Sequence, residues 1–163
     1  MSQLSIFGDN GGTSLAEARD WLRERLNQGA TCPCCEQYAK VYRWSLYGSA
    51  ARLLVRFWHE GGTEEFVESK AVKGETQGSA SHLAFWSLVE HEPDRRPDGG
   101  KSGWWRVTAH GEGFIKSQET IPKYAYVYDG RVLRLEGEAR TISEVLKEPF
   151  DWREHMSLRL VPA

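Results

Sequence analysis

Three cysteines fall within four residues, Cys32-Pro33-Cys34-Cys35, and the outer two form a C-x-x-C pair. At that spacing a tight turn can bring two thiolates to one tetrahedral Zn²⁺, so Cys32 and Cys35 are the candidate metal ligands. A closed structural zinc site needs four ligands, and the chain has no second C-x-x-C and no H-x-x-x-H. One of His59, His82, His91, His110 and His155 would have to complete it. Redox chemistry at Cys32 requires a thioredoxin-like strand ahead of the motif, which Gln28-Gly29-Ala30-Thr31 does not supply. Without chemistry, the thiols are expected to be buried or partly buried beside Tyr38 and Trp21.

Other chemistry is sparse. No two histidines stand at i, i+4, and the chain holds no Gly-x-Ser-x-Gly, Walker or dinucleotide-binding loop. Glu64, Glu65 and Glu68 lie in a polar connection and read as solvated carboxylates. Trp44, Tyr47, Phe57, Trp58, Trp86, Trp104 and Trp105 have the chemistry to stack on single-stranded bases, but most fall at core-facing periodicities. The expectation is a binding protein, not an enzyme.

Lys and Arg number 21 against 23 Asp and Glu, a formal net charge of −2, so any contact with phosphates must come from a local patch. The 163 residues suit one core with appendages, and the 40% hydrophobic share, with seven Trp, is enough to build it. The longest apolar run, Ala50 to Val55, is interrupted by Arg52 and is far short of the ~20 residues of a membrane span. The first residues show no signal-peptide pattern, and clustered cysteines suit a reducing compartment, so the expected location is the cytoplasm.

The elements that must position these groups follow from periodicity and punctuation. Residues 1–13 read as a polar, Gly-rich arm. Ser14 with Glu17 forms a capping box ahead of Leu15, Ala18, Trp21, Leu22 and Leu26, which predicts a helix over 14–28 stopped by Gly29. The segment 37–46 fits helix or strand equally. A helix is expected from Ser49 to the double glycine Gly61-Gly62, and another over 79–86 with Ala80, Leu83 and Trp86 inward. Strands at 88–90 and 104–108 flank a loop and make a hairpin, after which Thr108 opens a helix where Gly111 and Gly113 permit close approach. Asp129-Gly130 between two alternating runs predicts a second hairpin, and a short helix spans 141–147 with Ser143 as its cap. The segments are thus an arm (1–13), a helix with the cysteine turn (14–48), a core (49–118) and a hairpin plus helix (119–163).

The pattern Leu83-x-x-Trp86-x-Leu88-Val89-Glu90, a polar loop, then Gly103-x-Trp105-Arg106-Val107-Thr108-x-x-Gly111-x-x-Phe114 resembles the recognition-helix and wing region of winged-helix proteins. Cys32-Pro-x-Cys35, Lys40-Val41-Tyr42-Arg43 and Ile121-Pro122-Lys123-Tyr124 resemble a group of small proteins encoded by phages and prophages. The resemblance implies an α+β fold, a winged helix-turn-helix core with an N-terminal helix and a C-terminal β-hairpin plus short helix. It implies a reading helix over 77–86 that offers Gln77, Ser79, Ser81 and His82 to duplex DNA, without a Lys or Arg. The wing would add Arg95, Arg96 and Lys101, and the preceding connection Lys70 and Lys73, as phosphate contacts. A homodimer through the N-terminal helix or the C-terminal hairpin would suit two-fold DNA sites. A winged helix also serves as a protein-binding module, and inhibition of a host defence or transcription protein stands as the alternative function.

Overall fold

The structure, a computed structural model, describes residues 14–73, 79–93 and 103–157. Gln77, Arg95, Arg96 and Lys101 lie outside the described residues. The fold is α+β with small antiparallel sheets. Among the described residues no helix is long and apolar enough to cross a membrane. The chain divides into two compact units, one of residues 1–42 with 128–130, the other of residues 43–127 with 131–163.

In the first unit, α1 (Leu15–Arg25) starts where expected. The Ser14 hydroxyl accepts the Glu17 N–H, and the Glu17 carboxylate accepts the Ser14 N–H at 2.7 Å. These two hydrogen bonds satisfy donors that a helix start otherwise leaves orphaned. They also hold the Glu17 carboxyl below its ordinary pKa. The predicted stripe is only partly inward: Ala18 is buried whereas Leu15 is exposed. After the helix, Gly29 takes φ +89°, and strands β1 (Ala30–Thr31) and β2 (Tyr38–Ala39) pair antiparallel with Ala30 opposite Ala39. The Val41 N–H donates to the Leu26 carbonyl at 2.8 Å, and Ala39 and Val41 are buried.

The second unit is built on α2 (Gly48–Gly61), which buries Ala50, Ala51, Leu53, Leu54, Val55, Phe57 and Trp58. The helix begins one residue earlier than expected, with Tyr47 at the N-cap making no side-chain cap, and ends at Gly62 with φ +56°. Half of its residues are buried, so neighbours must cover it on more than one side. Preceding it is β3 (Tyr42–Ser45), which resolves the ambiguous segment as extended. The stretch read as a polar connection holds strand β4 (Val67–Glu68) and helix α3 (Ser69–Lys73). Helix α4 (Ala80–Ala84) is shorter than the expected 79–86; residues 85–87 form a turn, and Ser87 takes φ +56°. The inward prediction stands, since Ala80, Leu83 and Trp86 are all buried. The Trp86 indole donates to the Pro122 carbonyl at 2.7 Å, which allows full burial of its N–H.

Strands β5 (Val89–His91) and β6 (Trp104–Val107) pair antiparallel, with Val89 opposite Val107 and Glu90 opposite Arg106. Strand β4 adds to the other edge of β6, giving the order β4-β6-β5. Helix α5 (Ala109–Ile115) is capped by Thr108, whose hydroxyl accepts from the Gly111 N–H and donates to the Ser87 carbonyl at 2.6 Å. Strands β7 (Ile121–Tyr128) and β8 (Arg131–Arg140) flank the Asp129-Gly130 turn, where both residues have positive φ. This is the two-residue hairpin turn that the pair predicts. The second sheet has the order β3-β7-β8. Helix α6 (Ile142–Leu146) is capped by Thr141 in a full capping box with Glu144, not by Ser143. Helix α7 (Trp152–Ser157), unanticipated, closes the described chain, with Trp152 against the core. Helix α2 packs against α3, α4, α5, α6, β4 and β6.

Gly111 fixes one of these contacts. A Cβ there would stand 2.1 Å from the Leu88 carbonyl oxygen and 3.0 Å from its carbon, so α5 sits against backbone that cannot rotate away. Gly111→Ala is expected to lower unfolding stability by about 2–3 kcal/mol in urea denaturation, at the upper end for an overpacked core methyl. Wild-type stability in that variant would show that the two segments can separate at no cost.

Candidate nucleic-acid interface

Helices α3 and α4 and the β5–β6 ribbon occupy one continuous stretch, and main-chain hydrogen bonds join its parts. The Ser69 N–H at the start of α3 donates to the Gly103 carbonyl at 2.7 Å, and the Glu92 N–H donates to the Trp104 carbonyl at 3.1 Å. Residues 92 and 103, on either side of the segment 94–102, are thereby tied to the ribbon and to the first turn of α3. On the ribbon, the Arg106 Nε donates to Glu90 at 2.8 Å, and its guanidinium lies over the Phe66 ring. That arginine is committed within the protein, whereas Lys70 on α3 is exposed.

The residues expected to read bases are placed unequally. Ser79 and Ser81 lie at the start of α4 with their hydroxyls 2.7 Å apart, and Ser81 is exposed. His82 is turned into an aromatic group. Its ring centroid lies 4.4 Å from that of Trp44 and 5.6 Å from that of Phe85, and its Nδ1 is hydrogen-bonded to the Tyr47 hydroxyl at 3.0 Å. Burial lowers the pKa of this imidazole from its usual value near 6.5. The sequence carried no sign of this cage, because Trp44, Tyr47 and His82 come from separate elements.

The cysteine turn is formed by main-chain bonds. The Cys32 N–H donates to the Gln37 carbonyl at 2.8 Å, and the Glu36 N–H to the Cys32 carbonyl at 2.9 Å, with Glu36 at φ +62°. Backbone N–H groups of Cys35 and Cys34 at its sulfur hold the Cys32 thiol below its ordinary pKa, while desolvation and the neighbouring Cys32 raise that of Cys34. The expectation of packed thiols is corrected for Cys34 and Cys35, which are exposed; the turn projects them outward and leaves Cys32 half-buried. Cys32 and Cys35 do border one cavity of about 330 Å³ with Leu22, Gln37, Tyr38 and Lys40. Among the described residues no group of three or more His, Cys, Asp or Glu is gathered as a metal ion requires.

Sequence reasoning missed a second cavity, of about 660 Å³, where Arg52, Lys123, Arg140 and Lys147 converge beside the start of α2. Three of these cations are engaged: Arg52 with Glu148 at 2.9 Å, Lys123 with Glu138 at 3.0 Å, and Arg140 with the Glu144 carbonyl at 2.8 Å. They come from α2, β7, β8 and the end of α6, so no local motif could have announced the cluster.

Comparison with protein-family models, with curated proteins and with solved structures found no match.

The caged histidine has a pH signature. Its folded pKa is depressed, so the unfolded chain takes up the proton first as pH falls. The stability that neutral His82 contributes is therefore complete above pH ~6.5 and lost as pH drops through the folded value. The margin of wild type over His82→Phe in urea denaturation is expected to shrink between neutral pH and pH ~5. A margin that is constant or grows on acidification would contradict the cage.

Proposed function

We propose that the stretch from α2 to β6 is a winged-helix module that docks on duplex DNA, in a phage-type regulator of transcription or replication acting in the cytoplasm. One observation carries this reading: the chain order α2, β4, α3, α4, β5, β6 with strand order β4-β6-β5. It presents two helices followed by a two-stranded ribbon whose connecting residues, 94–102, include Arg95, Arg96 and Lys101. In such a module the second helix enters the major groove and the ribbon loop touches the adjacent backbone. Since α4 carries no Lys or Arg and the half-buried His82 is engaged by Tyr47, affinity rests on phosphate contacts by the segment 94–102 and by Lys70. Base discrimination falls to Ser79, Ser81 and Gln77, which can hydrogen-bond base edges.

The second reading, a module that binds and inhibits a host protein, is favoured by the exposure of Val132, Leu133 and Leu135 on β8 and by the near-neutral charge. DNA anisotropy separates the two. Binding to a labelled duplex is expected to weaken with salt, and Arg95→Ala with Arg96→Ala to reduce both the affinity and the log–log salt slope, the latter by about 2. Absence of binding at low salt, or a slope untouched by the double variant, would remove the DNA reading.

A further inference from the structure

Strand β8 spans ten residues, and all but Arg140 are exposed. Among the described residues it pairs with β7 on one side and forms the outer edge of the sheet β3-β7-β8. A long edge strand presents a row of unpaired N–H and C=O groups, which natural proteins usually blunt with proline, short length or a covering element. β8 contains no proline, and it exposes Leu133 at 51% and Leu135 at 40%. Positions 133 and 135 share one face of the strand.

We propose that β8 pairs antiparallel with β8 of a second copy of this chain, on a two-fold axis through Leu135. The charge pattern selects both the occupant and the register. Centred on Leu135, the pairing sets Arg134 opposite Glu136 of the second copy, twice by symmetry, with Leu135 facing Leu135 and Leu133 facing Gly137. Centring on Arg134 or on Glu136 would set identical charges face to face, and a shift to the midpoint between residues 135 and 136 would set Leu135 against Glu136. Within one chain, Arg134 and Glu136 already lie together at 2.6 Å with both side chains at least 40% exposed. Two such strands therefore meet with matched charges. The Leu135 pair and the Leu133 of each copy form one apolar strip on the same face, and the two sheets become a single six-stranded sheet. Gly137, at φ +100°, interrupts the regular strand beyond this segment and confines the pairing to about residues 133–137. The pairing leaves the DNA reading untouched and competes with the host-protein reading, which uses the same exposed Leu133 and Leu135.

Sedimentation equilibrium of the full chain in reductant, which prevents disulfides through Cys34 and Cys35, tests it. A concentration-dependent dimer is expected. Leu135→Lys, which removes the central apolar contact and opposes two ammonium groups, should raise its Kd about 100-fold with an unchanged circular dichroism spectrum. Arg134→Glu should raise it about tenfold, and Arg134→Glu with Glu136→Arg should restore it to within about threefold of wild type. A wild-type chain that stays monomeric, a dimer indifferent to Leu135→Lys, or a charge swap no better than Arg134→Glu alone would overturn the proposal. Should Leu135→Lys fail to fold, the charge-swap series decides.

Discussion

Burial of α2 is the constraint on which the larger unit depends. Seven of its fourteen residues are out of water, among them Leu53, Leu54 and Phe57 at 1% exposure or less. Each such side chain contributes roughly 1.5–3 kcal/mol by leaving water, provided that other elements cover it. That proviso dictates the architecture. A helix apolar on more than one side cannot lie on the surface of a sheet, so helices α3 to α6 and strands β4 and β6 close around it. The short length of these elements follows, since three of the four helices have only five residues and none is stable except by packing.

Polar contacts fix how that packing is oriented. The Thr108 hydroxyl bonds both the Ser87 carbonyl and the Gly111 N–H, and the Thr108 N–H reaches the Leu88 carbonyl at 3.1 Å. One residue thus joins the end of α4's turn, the last pair of the ribbon and the first turn of α5. On α2 itself, the Trp58 indole donates to Glu112, which also pairs with Lys116 at 2.9 Å, and Lys116 lies over the Trp58 and Trp152 rings. These bonds satisfy groups that burial would otherwise penalise.

Much of this was legible from sequence where the signal is local. Ser14 with Glu17, Thr108 as a helix start, and Asp129-Gly130 each act through hydrogen bonds or dihedral preferences spanning two or three residues, and each forms as read. Inward faces were also legible, as Ala80, Leu83 and Trp86 show. Helix α3, strand β4 and helix α7 were not, because elements of two to six residues have too little periodicity to stand above a polar connection. The cage around His82 was hidden for another reason. A histidine on a short helix looks like a surface reader until Trp44 and Tyr47, from β3 and the start of α2, are known to enclose it. At the candidate interface, the sequence offered residue types, and the structure separates the exposed Ser81 from the half-buried His82. The exposed edge of β8 was equally silent, since its alternation predicts a strand but not which side of that strand is left open.

The central claim is that DNA docks on the stretch from α3 to β6, and amide chemical-shift mapping of the full chain titrated with duplex DNA tests it most directly. The account predicts the largest shifts at Ser69, Lys70, Ser79, Ser81 and the residues bordering the loop at Glu92 and Gly103, with the amides of β8 unmoved at constant protein concentration. Shifts confined to β8, or none at a DNA excess in low salt, would contradict it.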